Sequence, residues 1–481
     1  MKRTLRAFVV ALVFLLVFSW STSPLYLSYG NDSVFFQTIG LGILQGKVPY
    51  VDLFDHKGPV PFFMNALGYS IGSLSPDPSF GRTGLFILQV ISLTVTLLLL
   101  GKLSSCFVSS GRRSFLAVGL ALIPMVDFVI EGNQVEEWLL PFVALSLVIV
   151  TQFVQSRQMS AWRALLLGVS LGVCFYTRPN DGVMWIGGLC LGLVIICIRE
   201  RRWRTLLSSS AAALGGFAAV SAPVFLYFAS HGAVGAMMEG MIWHNLRYAS
   251  DGAFTWGGIG MILIPAIIIV STLVFLPRES RRDWTTVLCP MLLFTVLFIG
   301  KRDYYHYLLP LIPYVVICMS LALEYSRRVF LWVVCSLFAL FSFQECRYIS
   351  QAARIRSLTA EVYEQTDRLL DNVPLSERNS IWNYNLFNLA THGPESKLSL
   401  AGALLHKGLT PSNSIIIAYD LMYFDAERGI RAKAPEWVLM SPEAAYNKDF
   451  DYIFSNYDLL ATTPEGFCCE IRLYKRKQCI P

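Results

Sequence analysis

Leu85-Phe-Ile-Leu-Gln-Val-Ile-Ser-Leu-Thr-Val-Thr-Leu-Leu-Leu-Leu-Gly-Lys-Leu103 carries one charge, Lys102, next to its end. A run of this kind reaches the ~20 residues that a helix needs to cross hydrocarbon. Leu139–Val150 is shorter and has no charge at all. The whole chain has the same character. Of 481 residues, 54% are hydrophobic and only 15% charged, against roughly 25% charged in an ordinary soluble domain. Mean hydropathy is +0.52. These values exclude a typical cytosolic enzyme and a disordered chain. The net charge of +6 invites a nucleic-acid reading, but the position of the basic residues gives a better one, and no nucleic-acid partner is expected.

Lys and Arg collect on the cytoplasmic side of short membrane loops. Basic clusters punctuate the apolar runs at Lys2/Arg3/Arg6, Lys102/Arg112/Arg113, Arg157/Arg163, Arg199/Arg201/Arg202/Arg204, Arg278/Arg281/Arg282 and Arg327/Arg328. If all are cytoplasmic, an even number of crossings separates each pair. That parity predicts about eleven spans, near 7–26, 84–103, 115–131, 137–154, 164–178, 183–198, 205–228, 257–277, 284–300, 306–324 and 329–345. Pro59–Leu74 is apolar but short. Parity makes it a re-entrant or interfacial helix on the outer face; a genuine short span is the alternative. Lys2–Arg6 followed by Ala7–Trp20 has the look of a signal sequence, but Pro24 falls where a small-residue cleavage site is wanted, which favours an uncleaved first span.

The expected fold is a polytopic α-helical membrane protein with a small C-terminal extracytoplasmic α/β domain. The membrane module takes residues 1–345, with an outer loop over 27–83 that contains interfacial helices. From Cys346 charges become frequent and long apolar runs stop, so 346–481 forms the second domain. Its pattern predicts a helix over Ala352–Leu370 and strands near Ser380–Tyr384, Ser414–Ala418, Trp437–Met440, Tyr452–Phe454 and Glu470–Tyr474. Deleting it is expected to affect acceptor choice more than donor use. Cys346, Cys468, Cys469 and Cys479 would lie outside, where disulfides are permitted. No CxxC or Cys/His zinc spacing occurs.

Polar residues concentrate in the outer loops. The first reads Tyr29-Gly-Asn-Asp-Ser-Val-Phe-Phe-Gln-Thr-Ile-Gly, then Gln45-Gly-Lys-Val-Pro-Tyr-Val-Asp-Leu-Phe-Asp-His-Lys-Gly-Pro59. Asn31 or Asp32 is expected to N-cap a helix, and Val34, Phe35, Thr38, Ile39, Gly42 and Ile43 make it amphipathic, able to lie on the bilayer. Asp52, Asp55, His56 and Lys57 crowd six positions at the membrane surface, which points to a site. The second loop, Glu131-Gly-Asn-Gln-Val-Glu-Glu137, adds Asn133, Glu136 and Glu137. The third, Thr177-Arg-Pro-Asn-Asp-Gly182, places Arg178 against the positive-inside trend and brings Asn180. The fourth holds Trp243-His-Asn-Leu-Arg-Tyr248. The fifth, Lys301-Arg-Asp-Tyr-Tyr-His-Tyr-Leu-Leu-Pro310, sets Lys301, Arg302 and His306 at the top of a span, where an anion such as a phosphate accounts for bases on the wrong side.

Taken in order, these motifs resemble the bacterial branch of the GT-C glycosyltransferases, related to protein O-mannosyltransferases and the lipid A aminoarabinose transferase. The resemblance covers residues 1 to about 315 and rests on the early Asp, Gly-Lys-x-Pro-Tyr-x-Asp, His-Lys-Gly-Pro, Glu-Gly-Asn-x-x-Glu-Glu, Tyr-Thr-Arg-Pro-Asn and the basic-Tyr-x-His-Tyr-x-x-Pro stretch. It implies a GT-C-like fold and a polyprenyl-phosphate-linked sugar as donor, used at the outer leaflet of the plasma membrane. It also implies Asp32 as base, Lys57 as the family's lysine before the Pro turn, and Arg302, Tyr305, His306 and Tyr307 at the donor phosphate. The family often has Asp-Glu where this chain has Asp32-Ser33, and Asp52 or Asp55 is the substitute for the second carboxylate.

The chemistry asks for the same groups. Glycosyl transfer from a lipid phosphate needs a carboxylate to take the acceptor's proton and cations to stabilise the leaving phosphate. It also needs negative charge near an anomeric carbon of oxocarbenium character. Asp32 suits the first role. Lys57, Arg178, Lys301 and Arg302 suit the second. Asp52, Asp55, His56, Asn133, Glu136, Glu137 and Asn180 are candidates for sugar or acceptor contacts. One base and a phosphate leaving group imply inversion. A divalent metal bridging Asp32 and the phosphate is compatible with the sequence, though no spacing demands one. The acceptor, a glycan, a lipid or a protein hydroxyl, is left open. A transporter or flippase is the rival reading. It predicts mid-membrane charge and paired broken spans, whereas here the polar groups lie at one face.

Overall fold

The computed structural model describes residues 2–74, 80–129, 131–250, 256–299, 304–325, 332, 336, 339, 353–384, 400–410, 434–440, 450–465 and 470–477. Each span expected up to residue 324 overlaps a helix, the first only as far as Phe18. Seven come first: α1 Lys2–Phe18, α2 Asn31–Leu44, α3 Pro59–Gly72, α4 Phe80–Ser104, α5 Gly111–Val129, α6 Val135–Ser156 and α7 Ala161–Thr177. The later ones are Pro179–Arg199, Trp203–Ser230, Trp256–Phe275, Arg278–Phe298 and Tyr305–Glu324. Six of the described helices are long and apolar enough to cross a membrane. The other expected spans are shorter, as in α1 and α7, or open on a charged turn, as Arg112/Arg113 and Arg278 do. The span expected over 329–345 lies almost wholly outside the described residues.

The first span is shorter than expected. α1 stops at Phe18, and Ser19–Ser23 turns back into the protein, with Ser21 donating through N and Oγ to the carbonyls of Glu131 (2.9 Å) and Gly132 (2.8 Å). The buried Arg82 guanidinium caps this turn. It donates to the carbonyls of Trp20 (2.8 Å), Ser23 (2.9 Å) and Tyr26. A run of small hydroxyl side chains cannot continue an apolar span when a cation inside the protein collects its carbonyls.

α2 also departs from expectation. Its N-cap is Gly30, at φ 67°, and neither Asn31 nor Asp32 caps it. From Ser33 to Gly40 it is enclosed on all sides rather than open to lipid on one face. α3 packs along it, and Gly40 lies directly against the Asn65 backbone. The polar side of α2 meets polar partners: Gln37 Nε2 donates to Ser33 Oγ (2.9 Å), and Tyr69 Oη donates to Gln37 Oε1 (3.1 Å).

The two ends of the bundle differ in charge. At one end Arg157 pairs with Glu200 (3.0 Å) and Asp283, and Arg199 reaches Asp283 too. α7 runs from this end to Arg178 at the other, about 25 Å at 1.5 Å per residue. The outer loop, the start of α6 and the end of α7 therefore share the end away from the basic clusters.

After the helices comes a mixed sheet in the order β1-β2-β4-β3: Trp382–Tyr384, Trp437–Met440, Arg472–Arg476 and Tyr457–Thr462. β1 and β2 are parallel, and the other pairs antiparallel. The strand expected at Tyr452–Phe454 is instead part of helix Phe450–Asn456, and the strand follows it at Tyr457. The segment at 414–418 lies outside the described residues. A helix covers 353–370, as expected. This region shares one apolar core with the outer loop, in which Tyr29, Phe36, Ile39 and Tyr50 join Leu370, Trp437 and Leu473.

Gly58 holds the loop to the bundle. Its N–H donates to Thr177 O at 2.9 Å, and a Cβ placed on it would lie 2.0 Å from Tyr176 O. Gly58→Ala is expected to destabilise the protein by at least about 2 kcal/mol, because the obstacle is backbone that cannot move aside. A thermal melt of the purified protein in detergent measures this. Gly101→Ala, on an open helix surface, is the control that should lose nothing. Equal midpoints for the two variants would contradict the junction.

Candidate functional site

α7 ends where it does because Pro179 follows Arg178 and drives it to an extended conformation (φ −157°, ψ 112°). The Arg178 side chain thereby leaves the helix and enters the cluster beneath the outer loop. Its Nη1 donates to Glu136 Oε1 at 2.7 Å and lies 3.7 Å from Asp181 Oδ2. Its guanidinium lies over the Tyr307 ring, 3.6 Å from the centroid. Glu136 and Asp181 are fully buried, and the second Glu136 oxygen, Oε2, has no hydrogen-bond partner among the described residues.

The Gly58 junction places Lys57 beside this group. Lys57 is 7% exposed. Its Nζ is 3.1 Å from His56 Nε2, 4.0 Å from Asp55 Oδ1 and 5.8 Å above the Phe36 ring. Its backbone is fixed on both sides: Lys57 N donates to Asp55 Oδ1 (2.9 Å), and Tyr50 Oη donates to Lys57 O (2.7 Å). Burial pushes the Asp55 carboxyl above the usual range, with Lys57 pulling the other way. Burial, then the charges of Lys57, His244 and Arg178, hold His56 well below the ordinary histidine value. His244 is lowered by burial and by Lys57.

Asp32 stands in the first turn of α2, half-buried, with its charge felt by both Glu136 and His306. Released from capping, its carboxylate makes no hydrogen bond among the described residues. His306 stacks on Tyr304 (5.7 Å, 27°) and meets Tyr307 edge-on (4.6 Å, 84°).

Asp32, Asp55, His56, Lys57, Glu136, Arg178, His306 and Tyr307 thus form one group. Other expected site residues serve the framework. Asp52 Oδ2 accepts from Val48 N (2.7 Å) and closes the turn before the cluster. Asn133 Nδ2 donates to Ser33 Oγ (2.8 Å) and Asn65 Oδ1 (3.0 Å), and its Oδ1 accepts from Trp138 Nε1 (3.2 Å). Glu137 caps α6, accepting from Gln134 N (2.9 Å) and from Gln89 Nε2 (2.9 Å). Asn180 reaches Phe298 O at 3.5 Å, and Tyr305 is largely exposed. Lys301 and Arg302 lie outside the described residues.

Three neighbours were not singled out from sequence: Asp181, His244 and Asn245. His244 follows a π-helical turn, Glu239–Trp243, and both it and Asn245 meet His56, one by stacking and the other at its carbonyl. Acidic or imidazole side chains in the third and fourth loops were visible, but nothing in their spacing marked the turn. Among the described residues, no three His, Cys, Asp or Glu side chains gather as a metal cage.

Residues 56–228 match the family model of dolichyl-phosphate-mannose-protein mannosyltransferases. Two solved structures share the fold: ArnT from Cupriavidus metallidurans bound to undecaprenyl phosphate (TM-score 0.58, 13% identity, 98% of this chain and 97% of that one) and its apo state (TM-score 0.55, 12% identity, the same coverage). A search of curated proteins finds no match. The family match begins at His56, inside the cluster. The chain shares the fold of the ArnT structures over nearly its whole length.

Proposed function

We propose that this protein moves a sugar from a polyprenyl-phosphate donor to an acceptor hydroxyl at the outer face of the membrane, by direct displacement with inversion. The observation that carries the reading is that the charges of the buried Lys57, of Arg178 and of the half-buried Asp32, which has no capping duty, all act on Glu136 and His306. The undecaprenyl phosphate in the ArnT structure supports a lipid phosphate as the donor's leaving group.

In this reading Lys57 and Arg178 face the phosphate as negative charge develops on it. Each charge-assisted donor contributes about 3 kcal/mol to the transition state. Lys301 and Arg302, the bases that the sequence assigns to the same phosphate, would offset carboxylates that outnumber Lys57 and Arg178. Tyr307 holds the Arg178 plane. Glu136, with one oxygen on Arg178 and the other open, is the candidate for a sugar hydroxyl. Asp32 removes the acceptor proton. The acceptor oxygen attacks the anomeric carbon, the bond from that carbon to the phosphate oxygen breaks, and the polyprenyl phosphate leaves.

In this reading the basic clusters mark the cytoplasmic end of the bundle, and the site lies at the outer face of the cell membrane. The C-terminal region lies on the same side in this reading, which the bonds from Gln45 Nε2 to Gly408 O (2.9 Å) and from Lys47 Nζ to Thr410 O (2.9 Å) support.

Asp32→Asn keeps the size of the side chain and removes its basicity. The expected result is a stable protein with donor affinity kept within two-fold and transfer slowed by about two orders of magnitude or more. Binding of undecaprenyl phosphate and turnover of a polyprenyl-phosphate sugar measure the two halves. Near wild-type transfer by Asp32→Asn, with Asp55→Asn inactive, would move the base to Asp55.

A further inference from the structure

His56 was expected from sequence to touch sugar or acceptor. Its surroundings give it another task. A lysine ammonium can only donate hydrogen bonds. The 3.1 Å contact between Lys57 Nζ and His56 Nε2 therefore requires Nε2 to be the bare nitrogen, with the ring proton on Nδ1. That nitrogen is the one turned toward Asp55, 3.6 Å from Oδ1. The ring is held flat by a second imidazole: His244 stacks on it with centroids 5.5 Å apart and planes at 26°. His244 is itself braced edge-on by Phe54, at 5.5 Å. Asn245 Nδ2 donates to His56 O (2.6 Å), so the backbone is fixed as well.

We propose that His56 is a positioning residue: as a neutral acceptor, stacked on His244 and anchored through its carbonyl by Asn245, it aims the Lys57 ammonium at the donor phosphate without neutralising it. This rests on the reading of Lys57 as a ligand of that phosphate. The choice of imidazole has a physical reason. A carboxylate at the same distance would pair with Lys57 and compete with the phosphate for its charge. The nearest carboxylate, Asp55, is instead kept 4.0 Å from Nζ and occupied by the Lys57 backbone N–H. A neutral imidazole accepts a hydrogen bond from one of the three ammonium N–H groups, fixes the direction of the side chain and leaves its charge and its remaining donors for the ligand. It also lowers the rotamer entropy that a free lysine would lose on binding.

The test is a double-mutant cycle on the full-length protein in detergent, with undecaprenyl phosphate as the probe. His56→Phe keeps a flat ring for His244 and loses both ring nitrogens, the acceptor for Lys57 among them. His56→Gln keeps an acceptor and loses the ring. His56→Phe should weaken binding about ten-fold, and His56→Gln should recover a large part of that loss. Lys57→Ala should weaken it further, and the double variant His56→Phe/Lys57→Ala should bind no worse than Lys57→Ala alone, because His56 acts through Lys57. Additive losses in the double variant, or unchanged binding by His56→Phe, would overturn the positioning role while leaving Lys57 at the phosphate. Unchanged binding by Lys57→Ala would overturn both this role and the assignment of Lys57.

Discussion

The site depends on the contact between Gly58 and the last turn of α7. One strand of loop, carrying Asp55, His56 and Lys57, is laid directly on the carbonyls of Tyr176 and Thr177, with no side chain between. Glycine is required there for space rather than conformation, since its φ of −68° is ordinary. Immediately after it, Pro59 starts α3; immediately after the α7 carbonyls, Pro179 ends the helix and turns Arg178 inward. Two X-Pro steps, each disfavouring helix at the residue before, thus bring a lysine from one loop and an arginine from another into the same buried space. Like charges converge there because Glu136, Asp181 and Asp55 lie among them. Removing one partner from such a group leaves an uncompensated buried charge, which costs roughly 3–5 kcal/mol.

The helix that carries Asp32 is held at both ends by the C-terminal part of the chain. Before it, Tyr363 Oη donates to Leu27 O (3.0 Å) and Arg356 Nη1 to Leu25 O (3.3 Å). After it, Gln45 and Lys47 bond the Gly408–Thr410 turn. Tyr363 is in turn stacked on His406, 4.6 Å away at 26°. The expectation that residues after 346 serve acceptor choice therefore needs a second term: the same residues fix the placement of the helix that bears the proposed base.

The bundle was legible in the sequence because bilayer thickness and loop charge are properties of runs, and runs survive uncertainty at single residues. The first outer loop was legible because four ionisable side chains in six positions at a membrane surface have few innocent explanations. What could not be read was which polar residue serves chemistry and which serves the frame. Asp52, Asn133 and Glu137 have the composition of a site, yet a turn amide, a Ser–Asn–Trp network and a helix cap occupy them. Asn31 or Asp32 is the cap that the sequence offers, and Gly30 takes that place. Such outcomes depend on distances of 3 Å between segments a hundred residues apart. His244 escaped notice for a related reason: it follows a π turn and stacks on His56, and that turn has no sequence signature.

The claim at the centre of this account is that the bond broken joins the sugar to a lipid phosphate, with the phosphate leaving on the lipid. The direct measurement is mass spectrometry of the lipid products after purified protein is incubated with a polyprenyl-phosphate sugar and an envelope extract as acceptor source. The account predicts free polyprenyl phosphate, formed in step with sugar transferred to extract material. Polyprenol together with sugar phosphate would place the cleavage on the wrong side of the phosphate and contradict it, as would a donor recovered intact.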